Sequence, residues 1–172
     1  MPTRVVLEVA SKRAFASAID WPGWSRSGKT VDDALAALVA YAPRYAKVAK
    51  RARVAFPPDA VALDVVERQK GNGTTDFGAP GVAARAEAEP IAPSELMRQT
   101  ALLRATWAVL DAVAKRAEGV ELTKGPRGGG RDLDEIVGHV AEAESAYLGQ
   151  LGARPPKGAS HGALRTAMLG AL

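Results

Sequence analysis

Apolar residues near the N-terminus fall on alternate positions: Val5, Leu7 and Val9 against Val6, Glu8 and Ala10. That is the period of a strand with one buried face. Ser11-Lys12-Arg13 turns the chain, Ala14 to Ile19 predicts a second strand, and Trp24 to Ser27 a short third. The period then lengthens. Val31, Ala34, Leu35, Leu38 and Val39 recur at helical spacing, so this helix should lie on the sheet, and Thr30 stands where a hydroxyl caps the amides of Asp32 or Asp33. Pro43 predicts a break or kink before a helical turn resumes at Arg44, and Phe56-Pro57-Pro58 ends that turn. Leu63 to Arg68 predicts a further strand.

Gly71 to Gly81 is a dense run of turn formers, and with the Ala/Glu-rich stretch up to Pro90 it predicts a linker, pinned to a neighbouring surface by its single large apolar residue, Phe77. From Pro93 the pattern is helical throughout. Ser94 caps a long helix with Leu96, Leu103, Trp107, Leu110 and Ala114 on one stripe, ending near Gly119. Asp132 with Glu135 three residues on forms a reciprocal cap for the next helix, which should bury Leu133, Ile136, Val140, Ala143 and Tyr147. A last helical segment runs from Ala163. The expected fold class is α+β: a small antiparallel sheet with one packed helix over residues 1–70, a linker over 71–92, and an incomplete antiparallel helical bundle over 93–172.

Composition narrows the chemistry. Among 172 residues there is no cysteine, which excludes disulfides, thiolate metal sites and a cysteine nucleophile and is compatible with a reducing cytoplasm, the expected location. Neither a signal-peptide pattern nor an apolar run of membrane-spanning length is visible. The net charge of +4 is dispersed among 19 acids, apart from Arg44, Lys47, Lys50, Arg51 and Arg53. With only Tyr41 and Tyr45 near them, that cluster reads as a solvated helix face rather than a nucleic-acid surface.

The stretch Asp20 to Leu38, DWPGWSRSGKTVDDALAAL, carries the most specific pattern. Gly23, Gly28, Lys29 and Thr30 fit the spacing of a phosphate-binding loop. Its surroundings do not: the preceding segment is small-residue, half-polar and closed by Pro22, and Asp32 and Asp33 at the helix start repel a triphosphate, so no nucleotide site is expected. The same residues, D-x-P-G-x-x-x-x-G-x-T-x-x-[DE]-A before an apolar helix, resemble the small HicB-type antitoxin domain. That resemblance covers about the first third of the chain. It implies three strands, the second ending in D-x-P-G and the third in G-x-T, feeding one helix packed across the sheet. HicB antitoxins carry a DNA-binding segment after this domain, and a helical bundle takes that place here.

Residues from about Glu95 to Leu151 resemble the first half of a DinB/YfiT-type four-helix bundle, on the long helix with Trp107 and the helix from Asp132 to Glu144 containing His139. The resemblance implies that His139 is one of three histidines holding a divalent metal, the other two lying on a fourth helix that this sequence lacks. His139 and His161 are the only histidines, so Glu142 at i+3 and Glu135 at i−4 would have to add carboxylates. Read from spacing alone, His139 is a partly buried core histidine and His161 a residue of a flexible, helix-capping segment. Lys124, Arg127 and Arg131 flank a glycine run before a helix N-terminus and form a candidate anion site, with pairing to Asp132 and Asp134 as the alternative.

These readings point to a non-catalytic binding or regulatory protein with a HicB-like domain. The alternative is a DinB-like metal- or thiol-dependent enzyme with a site around His139. The stripe Leu164, Met168 and Leu172 on the last helix predicts a homo-oligomer or a partner chain covering it.

Overall fold

The computed structural model describes residues 2–57, 62–123, 130–155 and 157–172. The chain runs β1 (Thr3–Val9), β2 (Ala14–Ala18), β3 (Ser25–Gly28), α1 (Val31–Ala52), β4 (Leu63–Lys70), α2 (Gly73–Phe77), a 3-10 turn (Arg85–Ala88), α3 (Pro93–Ala117), α4 (Leu133–Gln150) and α5 (His161–Ala171). It divides into two compact units, Met1–Trp107 and Ala108–Leu172.

The fold is α+β, with a four-stranded sheet in the order β3-β2-β1-β4. β1, β2 and β3 are successively antiparallel, but β4 runs parallel to β1, so the sheet is mixed rather than antiparallel as expected. The cause is α1. A helix of 22 residues is about 33 Å long and returns the chain to the start of the sheet, so the next strand repeats the direction of the one before the helix.

Register sorts the side chains of unit 1 onto two faces. Val5 lies opposite Ala18 and Leu7 opposite Ala16, and this face receives Ala34, Leu38, Ala42, Tyr45 and Ala49 of α1. The alanines on β2 let the helix approach closely, and Leu102 of α3 joins the same core. Thr30 caps α1 reciprocally: its hydroxyl accepts from the Asp33 amide at 3.1 Å and the Asp33 carboxylate accepts from the Thr30 amide at 3.1 Å. Gly28 is required there, because a Cβ would stand 2.3 Å from the Ala34 nitrogen. No break occurs at Pro43; α1 is one helix through it. Proline removes one backbone hydrogen bond, while burial of Ala42, Tyr45 and Ala49 against the sheet holds the helix on both sides. The helix ends at Ala52, capped by Arg53 in the left-handed region at φ 58°.

The other face of the sheet was expected to be solvated. It carries Val6, Glu8 and Phe15, all buried, and is covered by the segment that the sequence presents as a linker. Glu8 is 4% exposed. Its carboxylate accepts from the Gly81 amide at 2.9 Å, the Val82 amide at 3.0 Å and the Thr75 hydroxyl. Glu67 accepts from the Arg85 amide at 3.1 Å and Gln69 donates to the Ala83 carbonyl at 3.0 Å. A register shift in β4 makes this possible. Val65 pairs with Val5 but Glu67 pairs with Val6, so the extra residue, Val66, moves the following side chains to the second face. At the far end, Asp76 accepts from the Ser11 hydroxyl and the Lys12 amide, both at 2.6 Å. Residues 71–92 are thus a layer of unit 1, and Phe77, expected to pin them, is 91% exposed.

α3 starts at Pro93, a residue suited to a first helical position, rather than at a Ser94 cap. It buries Leu102, Ala105 and Trp107, a stripe displaced from the expected one. In unit 2 the Asp132–Glu135 reciprocal cap starts α4 as expected, and Ser160 caps α5. α4 packs on α5, burying Leu148, Leu164 and Met168, while Tyr147, expected inside, is exposed. The chain itself therefore covers Leu164 and Met168 and leaves Leu172 about half exposed, so the stripe that argued for a partner chain is not an open patch. Among the described residues, no helix is long and apolar enough to cross a membrane.

Candidate functional site

The D-W-P-G motif forms the tight turn between β2 and β3. The Trp21 amide bonds the Ala18 carbonyl and the Trp24 amide bonds the Trp21 carbonyl, each at 3.0 Å, and Gly23 takes the left-handed conformation at φ 87° that this turn needs. Two further carbonyls of the turn are held by side chains. Tyr45 donates its hydroxyl to the Pro22 carbonyl at 2.9 Å, and Arg98 of α3 donates to the Asp20 carbonyl at 2.5 Å. Below the turn, Trp21, Trp24, Tyr45 and Phe56 form an aromatic cluster, with Trp21 edge-on to Phe56 at 4.9 Å and Trp24 stacked on Tyr45 at 5.8 Å. Burial among these rings pushes the Tyr45 phenol up to about 12.

Beside this turn lies an open groove of about 1100 Å³, contained within unit 1 and bounded by the turn, the 85–92 segment and the first turns of α3. Trp21, Pro22, Pro90 and Ile91 give it an apolar lining. Two ion pairs sit on its walls. Arg4 grips Asp20 through Nε and Nη2, at 3.0 and 2.5 Å, and Arg98 grips Glu95 through Nε and Nη2, at 2.7 and 2.6 Å. Arg98 also lies over the Trp21 ring at 5.1 Å. The Arg98 hydrogen bonds hold the Glu95 carboxyl below the usual carboxylate range, and Glu95 in turn raises Arg98. Glu87 and Glu89 also line the groove, so it holds four carboxylates against two guanidiniums.

The residues singled out in the sequence do not gather here. His139 is exposed, not a core histidine, and its Nδ1 stands 3.9 Å from Glu142, itself exposed. Glu135 is engaged as the reciprocal cap of Asp132. Among the described residues, no group of three His, Asp or Glu is placed to hold a metal ion. Lys124 and Arg127 lie outside the described residues, and Arg131 is exposed. At Gly23 to Thr30 the start of α1 uses its amides on its own Thr30 and Asp33 side chains. The basic residues Arg44, Lys47, Lys50, Arg51 and Arg53 form an exposed helix face.

Sequence reasoning missed the groove's charged residues and also a second cluster in unit 2. There the buried Glu144 accepts from His161 Nε2 at 2.8 Å and lies 3.6 Å from Arg165 Nε, while Arg165 also bonds Asp111 at 2.8 Å. Ser160, not His161, caps α5, and His161 ties that helix to α4. The available signal was Glu144 itself, an acid two residues beyond Glu142 whose helical position faces Leu148 rather than solvent.

Comparison with protein-family models, with curated proteins and with solved structures finds no match to this chain.

Proposed function

We propose that this chain is a non-catalytic binding or regulatory protein, that its first unit is a HicB-like domain, and that the groove beside the D-W-P-G turn is its binding surface. The observation that carries the reading is the coincidence of the motif with the groove: Asp20, Trp21 and Pro22 all line it, and their backbone is fixed by Tyr45 and Arg98. A turn held in this way presents a preformed surface, which reduces the ordering cost of binding. The HicB-like part is supported by the order of three strands and one helix, with D-x-P-G after β2 and G-x-T leading into α1. The groove is bordered by residues 86–92 and mixes apolar lining with charged walls, which suits a polypeptide segment with both apolar and charged side chains.

A DinB-like enzyme with a metal at His139 has less support, since the carboxylate paired with it among the described residues, Glu142, is exposed and 3.9 Å away. The test of the binding reading is fluorescence anisotropy with a labelled neutral tetrapeptide, Ala-Gln-Leu-Ala, against the native chain and Ala92→Trp, which places a large ring in the groove from an exposed position. Saturable binding in the millimolar range or tighter that is lost in Ala92→Trp is expected. Equal binding by both proteins, or none by either, contradicts the proposal.

A further inference from the structure

We propose that the occupant of the groove is a polypeptide segment bearing an arginine, and that Arg98 is the chain's own guanidinium seated where that arginine docks; this rests on the groove being a binding surface. Charge is the first argument. Arg4 is matched by Asp20 and Arg98 by Glu95, each through two hydrogen bonds, so the basic groups of the groove are already neutralised in pairs. Glu87 and Glu89 remain on the same groove as a surplus of negative charge, in a chain whose net charge is +4. A cationic partner is therefore favoured over an anionic one.

The second argument is independent of that surplus. The fold already shows what this surface does with a guanidinium. Arg98 places its guanidinium carbon over the Trp21 ring, 5.1 Å from the centroid, donates to the Asp20 carbonyl at 2.5 Å and is held in two-point fashion by Glu95. An aromatic face, a backbone acceptor and a carboxylate together define a guanidinium seat, which a lysine ammonium fills less well because it lacks the planar fork. Arg98 comes from α3 and is only about a quarter exposed, so an incoming arginine has to displace it or share Glu95 with it. Its presence sets a threshold on binding: a partner must supply enough additional contact with Glu87, Glu89 and the apolar lining to outcompete an intramolecular rival.

The experiment compares three labelled tetrapeptides, Ala-Arg-Leu-Ala, Ala-Gln-Leu-Ala and Ala-Glu-Leu-Ala, on the native chain, on a Glu87→Gln/Glu89→Gln double variant and on Arg98→Ala. The native chain should bind the arginine peptide about tenfold more tightly than the glutamine peptide at low salt, with the glutamate peptide weakest. In the double variant Glu89 is an exposed side chain, and Glu87, whose carboxylate accepts from the Ala84 amide at 2.8 Å, is replaced by an amide whose oxygen can still accept there, so the loss of charge should reduce that preference to about threefold or less. Arg98→Ala removes the rival guanidinium and also one tie to the turn, so both peptides are affected, but the ratio of arginine-peptide to glutamine-peptide affinity should rise at least about threefold above that of the native chain. Equal affinity for the arginine and glutamine peptides overturns the arginine inference while the groove reading stands. An arginine-to-glutamine affinity ratio in Arg98→Ala that is unchanged or lower than in the native chain overturns the internal-occupant assignment. Absence of binding by all three peptides overturns the groove reading and the inference with it.

Discussion

A carboxylate in the middle of a strand is costly unless its oxygens are satisfied, and Glu8 shows the condition being met. Gly81, Val82 and Thr75 all donate to it, so its removal strands the buried Thr75 hydroxyl and two part-buried amides at once. Glu8→Ala should lower unfolding free energy by about 2–4 kcal/mol in urea titration, with amide exchange at Gly81 and Val82 accelerating more than at Val5. In the sequence the acid interrupting Val5, Val6, Leu7 and Val9 was the legible trace of this second covered face, but alternation alone assigned Glu8 to solvent. Tyr45 gives a pH-dependent prediction. Its folded value of about 12 lies above the ordinary 10.0, so the neutral phenol is favoured by folding. Its contribution is full below pH 10 and is lost as pH rises through about 12. The stability difference between the native chain and Tyr45→Phe should therefore shrink across that window and stay constant below it. A difference that stays constant to pH 12 would show that the phenol is not buried as described.

At the scale of elements, what depends on neighbours three or four residues apart could be read directly. The Thr30–Asp33 and Asp132–Glu135 caps and the apolar face of α1 are of this kind, because the groups that make them are close in sequence. The direction of β4 and the bulge at Val66 were not, since both follow from where α1 delivers the chain and which strand it then meets. Residues 71–92 were misread for a related reason. Their turn formers satisfy backbone groups locally in the ordinary case, whereas here Glu8, Glu67 and Gln69 from two strands supply the partners. The end of α1 offers a local test. Arg53 adopts the left-handed conformation at φ 58°, which costs a residue with a Cβ on the order of 1 kcal/mol. Arg53→Gly should raise stability by about 0.5–1 kcal/mol, read as a higher urea midpoint at unchanged slope. An unchanged or lower midpoint would contradict the cap assignment.

For the whole molecule, the two units carry different kinds of information. Unit 2 places Glu144, His161, Arg165 and Asp111 together as ties among its helices, and sequence spacing pointed instead to His139 and Glu142, which it leaves on the surface. Unit 1 contains the groove, and half of that site was legible: D-W-P-G stood out at once, while Arg98, 78 residues from Asp20, carried no mark that linked it to the turn. Such a pairing is set by tertiary folding and leaves no local period. The groove is also where the account stands or falls. The measurement that tests it most directly is the mapping of amide resonances in the full chain during titration with the Ala-Arg-Leu-Ala peptide. Progressive shifts concentrated in 19–23, 54–55 and 86–99 are predicted, with unit 2 unchanged. Shifts confined to unit 2, or spread evenly over the exposed surface, would contradict the assignment of the D-W-P-G groove as the binding site.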